Sequence, residues 1–177
     1  MTAPASADFR TLIDFDSEAR GEWHAVNDGV MGGRSSGSLR LSGDGTGVFE
    51  GDLSLENDGG FASVRTEIPE GTLSGLSRLL LRVRGDGRRY QLRLRMSSTL
   101  GGIAYVCRFD TARGAWSVVE APGGAFEPSF RGERPGDAPP LRFPNVRQIG
   151  LMLVDGQEGP FRLEIDWIGA DRGGEER

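Results

Sequence analysis

Apolar and polar residues alternate in short runs along most of the chain. The runs FRTLIDFD, GSLRLS, GVFEGDLSL, FASVRTEI, RLLLRVR, YQLRLRM, IAYVCRF, AWSVVE, RQIGLMLV and PFRLEIDWI have the length and two-residue period of strands. No window sustains a 3.6-residue period. A short helix or turn fits only near SEARGEW or within GTLSGLS. About ten strands separated by Gly- and Pro-rich turns predict an all-β, two-sheet sandwich of jelly-roll type. GDG at 43–45 breaks two strands, and GDGRR at 85–89 reads as the turn of a hairpin joining RLLLRVR to YQLRLRM. PSFRGERPGDAPPLRFPN, 128–145, is the longest irregular connection. One domain is expected over 9–169, with a polar leader at 1–8 and a solvated tail at 170–177.

Composition narrows the chemistry. Twenty-eight glycines favour tight turns over long helices. Every basic residue is arginine, so no Schiff-base or P-loop lysine is available. A net charge of −5 gives no reason to expect nucleic acid as a partner. Cys107 is the only cysteine, which excludes an intrachain disulfide and fits a reducing compartment. MTAPASADFR has no apolar signal region, and no later segment approaches a membrane span. The expected setting is the bacterial cytoplasm, with the inner membrane reached only through a partner.

Strand periodicity also places charges. In RLLLRVR, Leu79, Leu81 and Val83 face one way, and Arg82 and Arg84 the other. In YQLRLRM, Tyr90, Leu92, Leu94 and Met96 oppose Arg93 and Arg95. A hairpin would set the four arginines side by side, a repulsive arrangement unless acids intervene. Glu164 and Asp166, opposite Leu163, Ile165 and Trp167, are candidate acids. The face is therefore either a salt-bridged sheet surface or an Arg-lined docking site for an anionic or polar partner.

Catalytic and cofactor motifs are weak. His24, Asp28 and Ser35 or Ser36 offer the residue types of a hydrolase, without a G-x-S-x-G elbow. One histidine and one cysteine do not make a zinc site. A calcium ion held by Asp14, Asp16 and Asp166 is a further option, without an EF-hand loop. The Gly-rich segments lead into strands rather than helices, so no nucleotide fingerprint is present. No cofactor is implied.

The loops carry a stronger signal. WHAVNDGVMGGRSSGSL, FEGDLSLENDGGFASVR, VRGDGRRYQLRLR, AFEPSFRG and QIGLMLVDGQEGPFRLEIDWI resemble, in this order, segments of the complex I intermediate-associated protein family. The resemblance runs from about Phe9 to Ile168. It implies a galactose-binding-like jelly roll and a non-catalytic assembly role. The implied partners are NADH dehydrogenase (complex I) subunits or their assembly intermediates. Against the family pattern, MTAPASADFR is not expected to act as a mitochondrial presequence, and APGGAF stands where an apolar Pro-Phe step is expected. The fold is shared with carbohydrate-binding modules, so glycan binding through Trp23, Tyr90, Tyr105, Trp116 or Trp167 is the alternative.

Asn27, Asp28 and Gly29 read as an Asx-type turn, and Gly32 and Gly33 as close-approach positions. Arg34 is within reach of a carboxylate from END at 56–58, and Met31 is either tucked in or an adaptable contact. The loop is either a structural corner or one recognition edge. That edge would comprise Asn27, Asp28, Met31, Gly32, Gly33, Arg34 and Ser35 with Asn57, Gly59, Gly60 and Phe61 of ENDGGF and Phe130 and Arg131 of FRG.

Overall fold

The alternating runs fold as strands. A computed structural model describes residues 7–99 and 102–173 and contains, among these, twelve strands in two antiparallel sheets. Sheet one runs in the order β3 (Ser36–Leu41), β4 (Gly47–Leu53), β12 (Gly159–Asp171), β6 (Arg78–Arg84) and β9 (Trp116–Pro122), with β1 (Arg10–Asp14) beside the second half of β12. Sheet two runs β10 (Glu127–Ser129), β8 (Ala104–Asp110), β7 (Arg89–Met96), β11 (Val146–Leu153), β5 (Ala62–Glu67) and β2 (Trp23–Ala25). Helical structure among the described residues is limited to short 3₁₀ turns, one at Glu18–Arg20 within SEARGEW.

Period-two patterning fills the space between the sheets. Leu79, Leu81 and Val83 of β6 share one apolar cluster with Leu92 and Leu94 of β7 and Ile149 and Leu151 of β11, all fully buried. Burying such side chains is the main favourable term in folding.

Three expectations are corrected. The GDGRR hairpin does not form: β6 pairs with β12 and β9, whereas β7 pairs with β11 and β8 in the other sheet. The segment is a crossover from sheet to sheet. Asp86 accepts hydrogen bonds from the Arg88 N–H (3.1 Å), the Tyr90 hydroxyl (3.0 Å) and the Arg162 N–H (2.8 Å). Arg88 forks onto Asp155 at 2.8 and 2.7 Å and also donates to backbone carbonyls of Gln157, Gly159 and Pro160. A jelly-roll corner and a hairpin use the same Gly-Asp-Gly chemistry, and alternation shows a strand's apolar face but not its neighbour. Arg82 and Arg84 therefore lie on the outer face of sheet one, and Arg93 and Arg95 on the outer face of sheet two.

The second correction concerns Trp167. The register of β12 against β6 shifts between Ile165 and Trp167, so Trp167 pairs with Arg82 instead of alternating inward. It is buried beneath Phe9, whose ring meets it edge-on at 5.1 Å. Third, β12 continues to Asp171, past the expected limit at 169, because Asp171 is fully buried against Arg78 (2.6 Å). Most of the expected leader and tail, residues 1–6 and 174–177, lies outside the described residues.

Candidate functional site

The NDGVMGGRSS loop is built around Asp28. Its carboxylate is fully buried and accepts from the Ser35 hydroxyl (2.6 Å), the Ser35 N–H (2.9 Å), the Gly60 N–H (2.7 Å) and the Phe61 N–H (3.4 Å). Burial pushes the Asp28 pKa up, but these donors outweigh it and hold the acid below its ordinary value. Glycines are needed around it: a Cβ would fall 2.4 Å from the Asp28 carboxyl carbon at Gly33 and 2.5 Å from a carboxylate oxygen at Gly59. Asn27 bridges the sheets, donating to the Gly37 carbonyl (3.0 Å) and accepting from the Ser63 N–H (3.2 Å). Asn57 donates to the Gly32 carbonyl (3.2 Å), and Arg34 meets Glu56 at 3.4 Å at the surface. The two polar loops thus form one stitched corner. Met31, 67% exposed, projects from it.

The FRG turn does not join this edge. It follows β10, which is separated from β2 by the full width of sheet two, five strand spacings or about 24 Å. Phe130 and Glu133 exchange backbone hydrogen bonds there, and Arg131 stacks over Phe130 at 5.3 Å.

The hydrolase arrangement is not formed. Asp28 and Ser35 are bonded to each other, while His24 is an exposed residue of edge strand β2 and, among the described residues, bonds no serine or acid. The proposed calcium set also disperses: Asp166 is paired with Arg82 at 2.9 Å, and no three His, Cys, Asp or Glu side chains converge among the described residues.

Arginines on the two outer faces meet different fates. On sheet one, Arg84 binds Glu164 at 2.5 and 3.0 Å, and Arg162 bridges Glu50 and Glu164. Arg82 and Arg84 also cover the Trp116 ring at 4.5 and 4.9 Å. The Arg84 hydrogen bonds, against the opposing effect of burial, hold Glu164 below its ordinary range. This face is the salt-bridged surface considered above.

On sheet two, the pairing register sets His24, Arg65, Gly150, Arg93 and Val106 in one row across β2, β5, β11, β7 and β8. The adjacent row sets Glu67, Gln148 and Arg95 side by side across β5, β11 and β7. Arg65, Arg93 and Arg95 have no carboxylate within ion-pair distance among the described residues. Arg93 donates to the Gln91 side-chain oxygen (2.8 Å) and Arg95 to that of Gln148 (3.4 Å). The Arg93 Nε is buried without a partner among the described residues. Burial, then repulsion from Arg95, Arg108 and Arg65, pushes Arg93 down to about 10, and burial with Arg65 lowers Arg95.

Sequence reasoning missed Arg65. The alternation in ASVRTE places Ser63, Arg65 and Glu67 on one face, but only the β5–β11–β7 order brings Arg65 toward Arg93.

Candidate sugar platforms are occupied elsewhere. Tyr90 and Tyr105 are buried, Trp23 stacks on Phe15 at 6.0 Å, Trp116 lies under two arginines and Trp167 under Phe9.

Comparison with known proteins places these features in context. The model of the family described as complex I intermediate-associated protein 30 matches residues 13–165. The mitochondrial protein of that name from Mus musculus is 30% identical over 181 residues, covering 91% of this chain and 54% of that protein. Its Drosophila melanogaster counterpart is 27% identical, covering 90% and 62%. The chain therefore spans little more than half the length of these relatives. Both are designated mitochondrial, which lends no support to a bacterial cytoplasmic setting; among the described residues no helix is long and apolar enough to cross a membrane.

A family 11 carbohydrate-binding module from a Clostridium thermocellum cellulosomal cellulase superposes with a TM-score of 0.66 at 17% identity, covering 98% of this chain and all of that one. A second family 11 structure, in complex with a β-1,3-1,4-mixed-linked tetrasaccharide, gives 0.64 at 18% identity, covering 94% and 97%. The fold is the expected galactose-binding-like jelly roll, and at these identities the likeness extends to the fold alone.

Proposed function

This chain belongs to the complex I intermediate-associated protein 30 family, and on that premise we propose that it is a non-catalytic binding protein assisting assembly of respiratory complex I. The observation that carries the reading is the family match across nearly the whole sandwich, residues 13–165. The geometry of the motif loops agrees with it. Their most distinctive polar residues, Asp28, Asn27 and Ser35, are spent on holding the corner, so the loops supply a rigid frame instead of a reactive group. Partners are complex I subunits or their assembly intermediates, and the membrane is reached through them.

The test is recovery of complexes on tagged chain expressed in cells of its source. Subunits of complex I are expected to be enriched over a tag-only control. Recovery of none of them would sink the proposal. A specific glycan-array hit in their place would move the chain to the carbohydrate-binding alternative, which its fold permits.

A further inference from the structure

The outer face of sheet two carries an electrostatic arrangement that folding alone does not explain. Acids outnumber bases in this chain, 26 to 21. On sheet one, Arg78, Arg82, Arg84 and Arg162 all have carboxylate partners. On sheet two, Arg65, Arg93 and Arg95 have none among the described residues and instead repel one another across half-buried positions. Like charges gathered on one sheet face repel, and a half-buried cation without a counter-ion adds a desolvation penalty. The Arg93 Nε, buried without an acceptor among the described residues, points to the same deficit.

Gly150 forms the floor between these arginines and is itself buried. Gly150 pairs with both Arg65 and Arg93, and a Cβ at Gly150 would sit 3.5 Å from the Arg65 Cβ and 3.9 Å from the Arg93 Cβ. That position faces outward, and its nearest atom is the Val64 carbonyl oxygen at 3.2 Å, so only a glycine fits there without a shift. Gln148 and Gln91 stand beside it with amide groups that already contact Arg95 and Arg93. Along β7, Arg93 and Arg95 are two residues apart on one face, a separation of about 6.7 Å. Alternate side chains of any extended peptide have the same spacing.

We propose that this face is a docking site for an acidic segment of a protein partner, bound extended over β11 with carboxylates at alternate positions on Arg93, Arg95 and Arg65. The proposal rests on the protein-binding reading given above. Charge complementarity selects the ligand: guanidinium forks bind carboxylates bidentately, and half-buried ones do so under weak screening. The chain's overall negative charge disfavours an extended polyanion or an anionic bilayer as the occupant.

The purified chain tests this directly by fluorescence anisotropy. The probes are a short labelled peptide with glutamates at alternate positions, its glutamine counterpart, and vesicles of phosphatidylcholine with phosphatidylglycerol. The glutamate peptide is expected to bind at least about tenfold more tightly than the glutamine one, with affinity falling as salt rises. Arg65→Gln with Arg93→Gln should weaken it about tenfold or more, while Arg40→Gln on sheet one should not. Equal binding of the two peptides, binding of neither, or binding only to vesicles would overturn the site. Arg93→Leu keeps the proposal separable from folding: its melting temperature should equal or exceed that of the parent, because a half-buried cation with no carboxylate counter-ion among the described residues is removed. A large fall in melting temperature would assign Arg93 to the scaffold and overturn the site. Peptide binding without recovery of complex I subunits would leave this site standing and remove the assembly reading. Recovery that ignores Arg65→Gln with Arg93→Gln would do the reverse.

Discussion

Replacing Asp28 with alanine is expected to destabilise the chain by about 3–5 kcal/mol, the range for breaking a buried, hydrogen-bonded charge network. The carboxylate is fully buried and is the common acceptor for the Ser35 hydroxyl and the N–H groups of Ser35, Gly60 and Phe61. Alanine leaves those donors unpaired and opens a gap beneath Gly33 and Gly59, whose missing side chains accommodate Asp28. Asp28→Asn keeps the volume but turns an NH₂ group toward donors, so it should lie between the parent and Asp28→Ala. Arg34→Ala, in the same loop, removes only an exposed ion pair at 3.4 Å and should cost about 0–1 kcal/mol. Denaturant midpoints of the three variants measure this directly. Equal losses for Asp28→Ala and Arg34→Ala would contradict the corner described here.

Arg88→Ala is expected to cost a similar amount, about 3–5 kcal/mol, by leaving Asp155 buried and unpaired. Arg88 and Asp155 are 11% and 7% exposed at their side chains, and the guanidinium also ties down the carbonyls of Gln157, Gly159 and Pro160. The pair joins the β6–β7 crossover to the β11–β12 turn. Burial raises the Asp155 pKa, but the Arg88 hydrogen bonds outweigh it and hold the acid below 3.8. A carboxylate with a depressed folded-state pKa contributes stability fully above its unfolded value, and that contribution is lost as pH falls through the lower, folded value. Melting temperature against pH should therefore drop below about pH 4 in the parent chain. The drop should be smaller in Arg88→Ala, which has already lost the contribution. A hairpin at GDGRR would predict little loss from Arg88→Ala at any pH.

The fold was legible because strand period and apolar content are local. Leu79, Leu81 and Val83, and Leu92 and Leu94, face the core as alternation requires. Strand partnership is non-local, and there the reading failed: Gly-Asp-Gly at 85–87 suits a hairpin and a sheet-to-sheet corner equally. Trp167 was misplaced because a bulge has no period signature. At the site, the Asn27–Asp28 corner and the Arg34 contact with the END segment were legible from Asx and glycine chemistry. The split between neutralised and unpaired arginines was not, since it depends on which strands adjoin β6 and β7. Arg65 becomes informative only once β11, with Gly150 at its centre, is known to lie between β5 and β7.

The proposal gives the arginines of the two faces different roles, and side-by-side recovery of complex I subunits tests this most directly. Tagged chains would carry either Arg65→Gln with Arg93→Gln on sheet two, or Arg40→Gln with Arg162→Gln on sheet one, where both arginines bind Glu50. The account predicts that the sheet-one variant recovers complex I subunits as the parent does, while the sheet-two variant, still folded by its melting temperature, loses them. Equal recovery by both variants, or loss confined to the sheet-one variant, would contradict it.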